Sequence, residues 1–423
     1  MRRTHLGILI VFMLVFGLVL PVYATEKIVV LIENNPQLLQ FHKEMAEEFS
    51  ELWDVEVEIM TASGAYEEQV GVLLAGGVEL DITQLWAEGG APYFEWDAFV
   101  DLNTFIEDDP DVQIENFAPA RIEAFTWHGK LFGLPMNANA FLGYYNRDAL
   151  EYAGLEPPEA LGDKWNWAAL KEYTRWLSAD TDGDGIIDRP ALWMPLNPQR
   201  SIAAFAEQAG GRIFDRYVDP TMATLSDAKS LQGLEFLVSL YAQRVASSGG
   251  NFSSGHNPML LFEGPFAMAN LADANVSFDW GVMDLPMGPV HDGTVMLGIG
   301  YQIPASSKNQ ALAWEFLKYL ANNVNSINRM VEITGRTPAF IPALPDYQDL
   351  LLDRFRDRTV LNFASKIVSV HTFPGPVVSN LGGINPIIGR LMQQAADGEI
   401  PVDTAVLEID RRVNAILQEM SKD

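Results

Sequence analysis

Nine residues hold ligand-type side chains at a spacing known from metal loops. Asp180–Asp188 reads DTDGDGIID, with carboxylates at Asp180, Asp182, Asp184 and Asp188 and with Gly185 after the third. That spacing copies the first nine positions of a calcium-binding loop. Alternation brings successive oxygens to one side of a tight turn, Gly185 permits the bend, and the Ile186 carbonyl takes the seventh place. The twelfth position is Ala191 where the pattern calls for a bidentate Glu, so that ligand must come from elsewhere or be absent. An acidic turn without an ion is the competing reading, but four carboxylates packed this closely repel one another unless a cation lies among them. The expectation is a structural Ca2+ held by Asp180, Asp182, Asp184, Ile186 and Asp188.

A second set offers an aromatic face beside a carboxylate. Trp86 ends the strand-like run Leu80–Trp86 and is followed by Glu88, Gly89 and Gly90. An indole face can cover the apolar C–H face of a sugar ring while a carboxylate takes its hydroxyls. Trp86 could equally be a core residue, but the glycine pair beside it points to a loop above the sheet. A third set is Leu131–Asn146, LFGLPMNANAFLGYYN, two apolar runs joined by Asn137, Ala138, Asn139 and Ala140. It reads as one extended segment that leaves one core and enters another, with the sheet giving way at Pro135. The amides of Asn137 and Asn139 would then stand in the gap; one ordinary edge strand is the alternative.

Catalytic signatures are missing. There is no G-x-S-x-G, no H-E-x-x-H and no Walker-type glycine loop. The 6 histidines are scattered, with no pair at ligand spacing. With 56 acidic residues, a glycosidase-like carboxylate pair stays open, so an exported carbohydrate-acting enzyme is the alternative to a binding protein.

The elements that must position these groups follow an α/β alternation. Lys27–Ile32 and Val55–Met60 read as strands around a helix at Gln37–Leu52, and Tyr66–Ala75 precedes Leu80–Trp86. In open α/β sheets ligands gather at the carboxyl ends of strands, which here carry Glu33-Asn34-Asn35 and the Trp86–Gly90 turn. Helices are expected at Trp165–Leu177, Arg200–Ala209, Asp227–Ala242 and Val406–Met420. A further helix at Ser307–Asn322 has Ser307 and Gln310 spaced as a capping box. Val295–Ile303 reads as a strand.

The bounds agree with an exported protein. Arg2 and Arg3 precede the apolar run Leu6–Leu20, and small residues lead to Ala24, so Met1–Ala24 reads as a secretory signal peptide cleaved after Ala24. The remainder is long enough for two domains, and 48% hydrophobic residues supply ample core. The net charge of −28 repels nucleic acid and anionic lipid. Without cysteines, stability must come from packing.

Several stretches, in order, resemble the extracellular solute-binding proteins of sugar-importing ABC transporters, the maltose-binding-protein-like group. They are LAGGVELDITQLW (74–86), HGKLFGLPMNANAFLGYYNRDAL (128–150), YAGLEPPEALGDKWNW (152–167), AEQAGGRIFD (206–215), FEGPFAMAN (262–270) and SSKNQALAWEFLKYLAN (306–322). The resemblance implies a type II periplasmic-binding-protein fold. Residues 25–136 and 302–340 would form one lobe and residues 137–301 and 341–423 the other. Crossovers would lie at LPMNANA, at Leu297–Gln302 and near Gly335–Pro342. It further implies a monomer in the periplasm that binds a sugar in the inter-lobe cleft and docks on a membrane permease. By position it implies ligand contacts at Asn35, Trp86, Glu88, Asn139, Arg200, Phe266, Tyr301 and Asn385. Phe266 stands where the maltose-binding relative has a stacking Trp, and Asn139 where it has a carboxylate.

Overall fold

The computed structural model describes residues 26–62 and 64–422, and the expected signal segment Met1–Ala24 lies outside them. Lys27–Glu33, Glu56–Ala62 and Ile82–Trp86 form three parallel strands. Ile28, Val30, Leu31 and Ile32 of the first are fully buried, because helices cover both faces of a parallel sheet. The intervening helix Pro36–Trp53 buries Leu38, Phe41, Met45 and Phe49 along one stripe. Two more strands complete this sheet: Ile299–Gln302, antiparallel to Ile82–Trp86, and Leu134–Pro135 at the edge. Pro135 is tolerated there because an edge position needs no donor.

A second sheet runs in the order Ala246–Ser247, Leu192–Trp193, Met259–Glu263, Leu142–Asn146, Trp280–Met283. Between the two lies a three-stranded sheet of Thr372–Pro374, Thr294–Leu297 and Asn139–Ala140. The stretch Leu131–Asn146 therefore feeds all three sheets and does pass from one lobe to the other, though as short strands with breaks between them. The core forms two clusters, one around Phe41, Phe94 and Phe316 that also takes in Leu142, Tyr144 and Leu260 of the second sheet, the other around Leu170, Phe205 and Leu261.

Several expectations are corrected. Asn137 and Asn139 do not stand in a gap, since both are buried. Asn137 Oδ1 accepts the Ile299 amide at 2.7 Å and Asn139 Oδ1 accepts the Thr337 amide at 3.3 Å. Three passes of the chain meet here, and the two side chains satisfy backbone donors that water cannot reach. The strand expected at Val295–Ile303 breaks at Gly298, where a Cβ would run into the Asn137 carbonyl oxygen. The first lobe resumes at Ile299 instead of residue 302, because Ile299 already pairs with Trp86. The helix at Gln310–Ala321 has no capping box: Ser307 Oγ donates to Asp81 Oδ1 at 2.6 Å, and Asn309 holds the cap position.

Candidate ligand cleft

Trp86 is the pivot. It ends a parallel strand, is half-buried, and packs against both core clusters. The Arg336 guanidinium lies 5.9 Å from its ring centroid, within the range of a cation–π contact. Arg336 reaches this place because Gly335, in a left-handed conformation at φ 65°, ends the helix Val324–Thr334. Beyond it the Thr337 carbonyl accepts the Ala138 amide at 2.9 Å, which with the Asn139 bond fixes the segment to the hinge. Burial pushes the Arg336 guanidinium below its ordinary value, while the charge of Glu33, at the end of the first strand, works against that shift.

The second lobe presents Arg200. The side chain of Asn197 accepts the Gln199 and Arg200 amides and so starts the π-helical turn Pro198–Ile202. The Arg200 guanidinium sits 4.2 Å from the Phe141 ring centroid, and its Nη1 donates to the Phe262 carbonyl at 3.4 Å. Burial lowers this guanidinium too, opposed by the charge of Glu263. Phe266, half-buried, opens the helix Phe266–Asp273, and its ring folds over Gly264, where a Cβ would collide with it. Asn385 is half-buried on the helix Leu381–Ala396, which packs against the Arg200 turn through Gly389 and Pro198.

The two halves share a floor. Leu297 pairs with Asn139, and the Phe141 amide continues the pairing to the Val295 carbonyl at 3.3 Å. Opposed residues and residues two apart point to one face, so Asn139, Phe141 and Leu297 lie side by side. Phe141 and Leu297 belong to the second core, against which Trp86 also packs. Arg200 thus lies over the floor residue Phe141 and Trp86 packs against the same core, while Phe266 and Asn385 are placed only within the second lobe, beside Gly264 and on the helix next to the Arg200 turn.

The other expected residues hold the fold instead. Tyr301 is fully buried inside the first lobe, its hydroxyl 2.8 Å from His42 Nε2 and 2.9 Å from Met136 Sδ. It pairs with Gln84, two residues short of the strand end that Trp86 occupies, and so lies too deep to touch ligand. Glu88 is buried against Arg121, with Oε1 2.7 Å from Nη1. Arg121 in turn donates to the Met296 and Gly298 carbonyls at 3.0 and 2.7 Å, so Glu88 serves the hinge. Asn139 is a hinge staple, as above. Asn35 caps Pro36–Trp53, its Oδ1 accepting the Gln37 and Leu38 amides at 3.0 and 3.1 Å. Glu33, Phe141, Glu263 and Arg336 were not among the residues expected to bind. Arg336, the cation in the predicted third crossover, was the one with a usable signal.

At the acidic loop, oxygens of the exposed Asp180, Asp182 and Asp188 lie within 4.8 Å of one another. Asp184 is not in that group; its Oδ1 accepts the Ile186 amide at 2.8 Å. Asp180 accepts the Gly185 and Gly183 amides at 2.8 and 2.6 Å, and Asp188 Oδ2 accepts from the Thr181 amide and hydroxyl, each at 2.7 Å. These bonds hold both carboxyls below the usual carboxylate range. A separate apolar hollow of about 400 Å³ is lined by Met268, Leu350 and Phe355, among others, a surface ill suited to a ligand covered in hydroxyls.

Residues 44–350 match the profile of the bacterial extracellular solute-binding proteins. That match covers more than half of the chain, and the protein belongs to this family. Its members are binding proteins, not enzymes, which sets aside the reading as a carbohydrate-acting enzyme. A maltotriose-binding protein of Pyrococcus abyssi is 23% identical over 391 residues, 88% of this chain and 79% of the relative. The sugar-binding protein MalE of Xanthomonas citri superposes with a TM-score of 0.80 at 19% identity, covering 93% of this chain and 98% of the other. An ABC substrate-binding protein of Listeria monocytogenes, solved with cycloalternan, gives 0.75 at 21% identity, covering 93% and 100%. The fold is the two-lobed α/β architecture of these proteins. Among the described residues no helix is long and apolar enough to cross a membrane.

Proposed function

We propose that this protein captures a sugar or oligosaccharide between its lobes and delivers it to the permease of an ABC importer. The carrying observation is Trp86, an aromatic face at a strand end that touches both cores. Arg336 over its ring, with Glu33 acting on that cation, and Arg200 with Glu263 in the second lobe are polar groups of the kind that takes hydroxyls. The maltotriose-binding relative and the cycloalternan complex support a carbohydrate. Export through Met1–Ala24 would place the protein, as a monomer, in the periplasm or an equivalent extracytoplasmic space. Asp180, Asp182 and Asp188 would hold a structural Ca2+, with Asp184 or the Ile186 carbonyl joining only after the loop rearranges. A thermal-shift screen against mono- and oligosaccharides tests the main reading. Ligand that binds only the native state raises the melting temperature; a complete panel without any shift would contradict it.

A further inference from the structure

Charged groups elsewhere in the protein are satisfied when buried, by hydrogen-bond donors, as Asp410 is by the Leu225 and Ser226 amides, or by an opposite charge. Arg121 has Glu88 at 2.7 Å, Lys366 has Asp292 at 2.8 Å, and Lys318 has Asp109 at 2.7 Å. That is the expected pattern, since a desolvated charge without a partner is costly. Arg200 and Arg336 break it. Both are half-buried, yet neither forms an ion pair among the described residues. Arg200 makes one long bond to a carbonyl, and each guanidinium faces an aromatic ring in place of a carboxylate. Glu263 and Glu33 influence them electrostatically from beyond ion-pair distance, and Glu263 Oε1 is occupied by the Gly264 amide at 3.0 Å. One cation comes from each side of the shared floor, in a chain whose net charge is −28. An anionic ligand must be held against that overall charge, and two guanidinium groups with free N–H forks are the groups that could do it.

Building on the proposed sugar-binding function, we infer that the ligand is an acidic carbohydrate, a sugar or oligosaccharide carrying a uronate carboxylate that Arg200 and Arg336 clamp between the lobes. The carboxylate accepts charge-assisted bonds from both guanidinium groups, while Trp86 covers the ring face and Glu33 and Glu263 take hydroxyls. Closure then brings each cation its missing partner.

Calorimetric titration with matched pairs tests this: glucose and glucuronate, galactotriose and trigalacturonate, xylotriose with and without a glucuronosyl branch. The expected result is that the tightest binder is a uronate, preferred over its neutral match by about tenfold or more. That preference should shrink as sodium chloride rises and collapse to about threefold or less in Arg336→Gln and Arg200→Gln. Circular dichroism of both variants checks their folding, and the matched-ligand comparison on the unaltered protein does not depend on them. A neutral sugar binding as tightly as its uronate match, or a uronate preference unchanged in both folded variants, overturns the inference and leaves sugar capture standing. Binding by neither half of the panel removes both readings.

Discussion

Trp86 and Tyr301 are aromatic residues on neighbouring strands, and burial separates their roles. Truncating Trp86 removes a face that only ligand can use fully, so Trp86→Ala should cost sugar binding about 2 kcal/mol, roughly thirtyfold, with the fold intact. Tyr301→Phe should leave affinity unchanged but strand the buried His42 Nε2, destabilising the fold by about 1–3 kcal/mol in urea unfolding. Reversed outcomes would exchange their roles. The strand end at Trp86 was legible, although the glycines after it lie in the helix Ala87–Glu95 and not in the expected loop, whereas Tyr301 was assigned by alignment position, and a sequence does not show how far down a strand the surface lies. Glu207 supplies a pH test. Burial raises its carboxyl to about 7, against lowering by the Tyr217 hydroxyl and Arg212, and with Glu123 adding to the rise. A group that binds its proton more tightly when folded stabilises below the unfolded value and loses that contribution as pH rises through about 7. Relative to wild type, Glu207→Gln should therefore gain stability between pH 5 and 8, by ~1–3 kcal/mol. A gap in melting temperature that is constant over that range would contradict this.

At the scale of elements, the hinge is where short strands, amide staples and one buried ion pair meet. Arg121 ties the helix Pro119–Phe125 to Glu88 of the helix Ala87–Glu95 and to two hinge carbonyls. Arg121→Met strands a buried carboxylate and two carbonyls, an expected loss of about 3–5 kcal/mol in denaturant unfolding. Adding Glu88→Gln should recover part of it; losses that simply add would argue against the pair. The alternation of strand and helix was readable because apolar period and glycine stops are local. The hinge was not, because Gly298 and Asn137 are explained only by a close approach between segments far apart in sequence. The acidic loop is an intermediate case: its carboxylates do cluster, but Asp184 turns to its own loop amide. If Ca2+ binds there, chelation should lower the melting temperature and added calcium restore it. An Asp182→Ala, Asp188→Ala double variant should lose the response, whereas wild-type protein indifferent to calcium would remove the ion from the account.

The whole molecule is two cores with one tryptophan between them. A ligand that touches Trp86 and Arg336 on one side and Arg200 on the other binds the closed arrangement better than the open one. It shifts that equilibrium by its differential affinity, and a change from mostly open to mostly closed requires about 5 kcal/mol of preference. Small-angle X-ray scattering of the protein with and without a sugar found in the thermal screen tests this most directly. The account predicts a smaller radius of gyration at saturation, with the change weakened in Trp86→Ala at equal ligand concentration. Saturating sugar binding with no change in radius, and full affinity in Trp86→Ala, would contradict it.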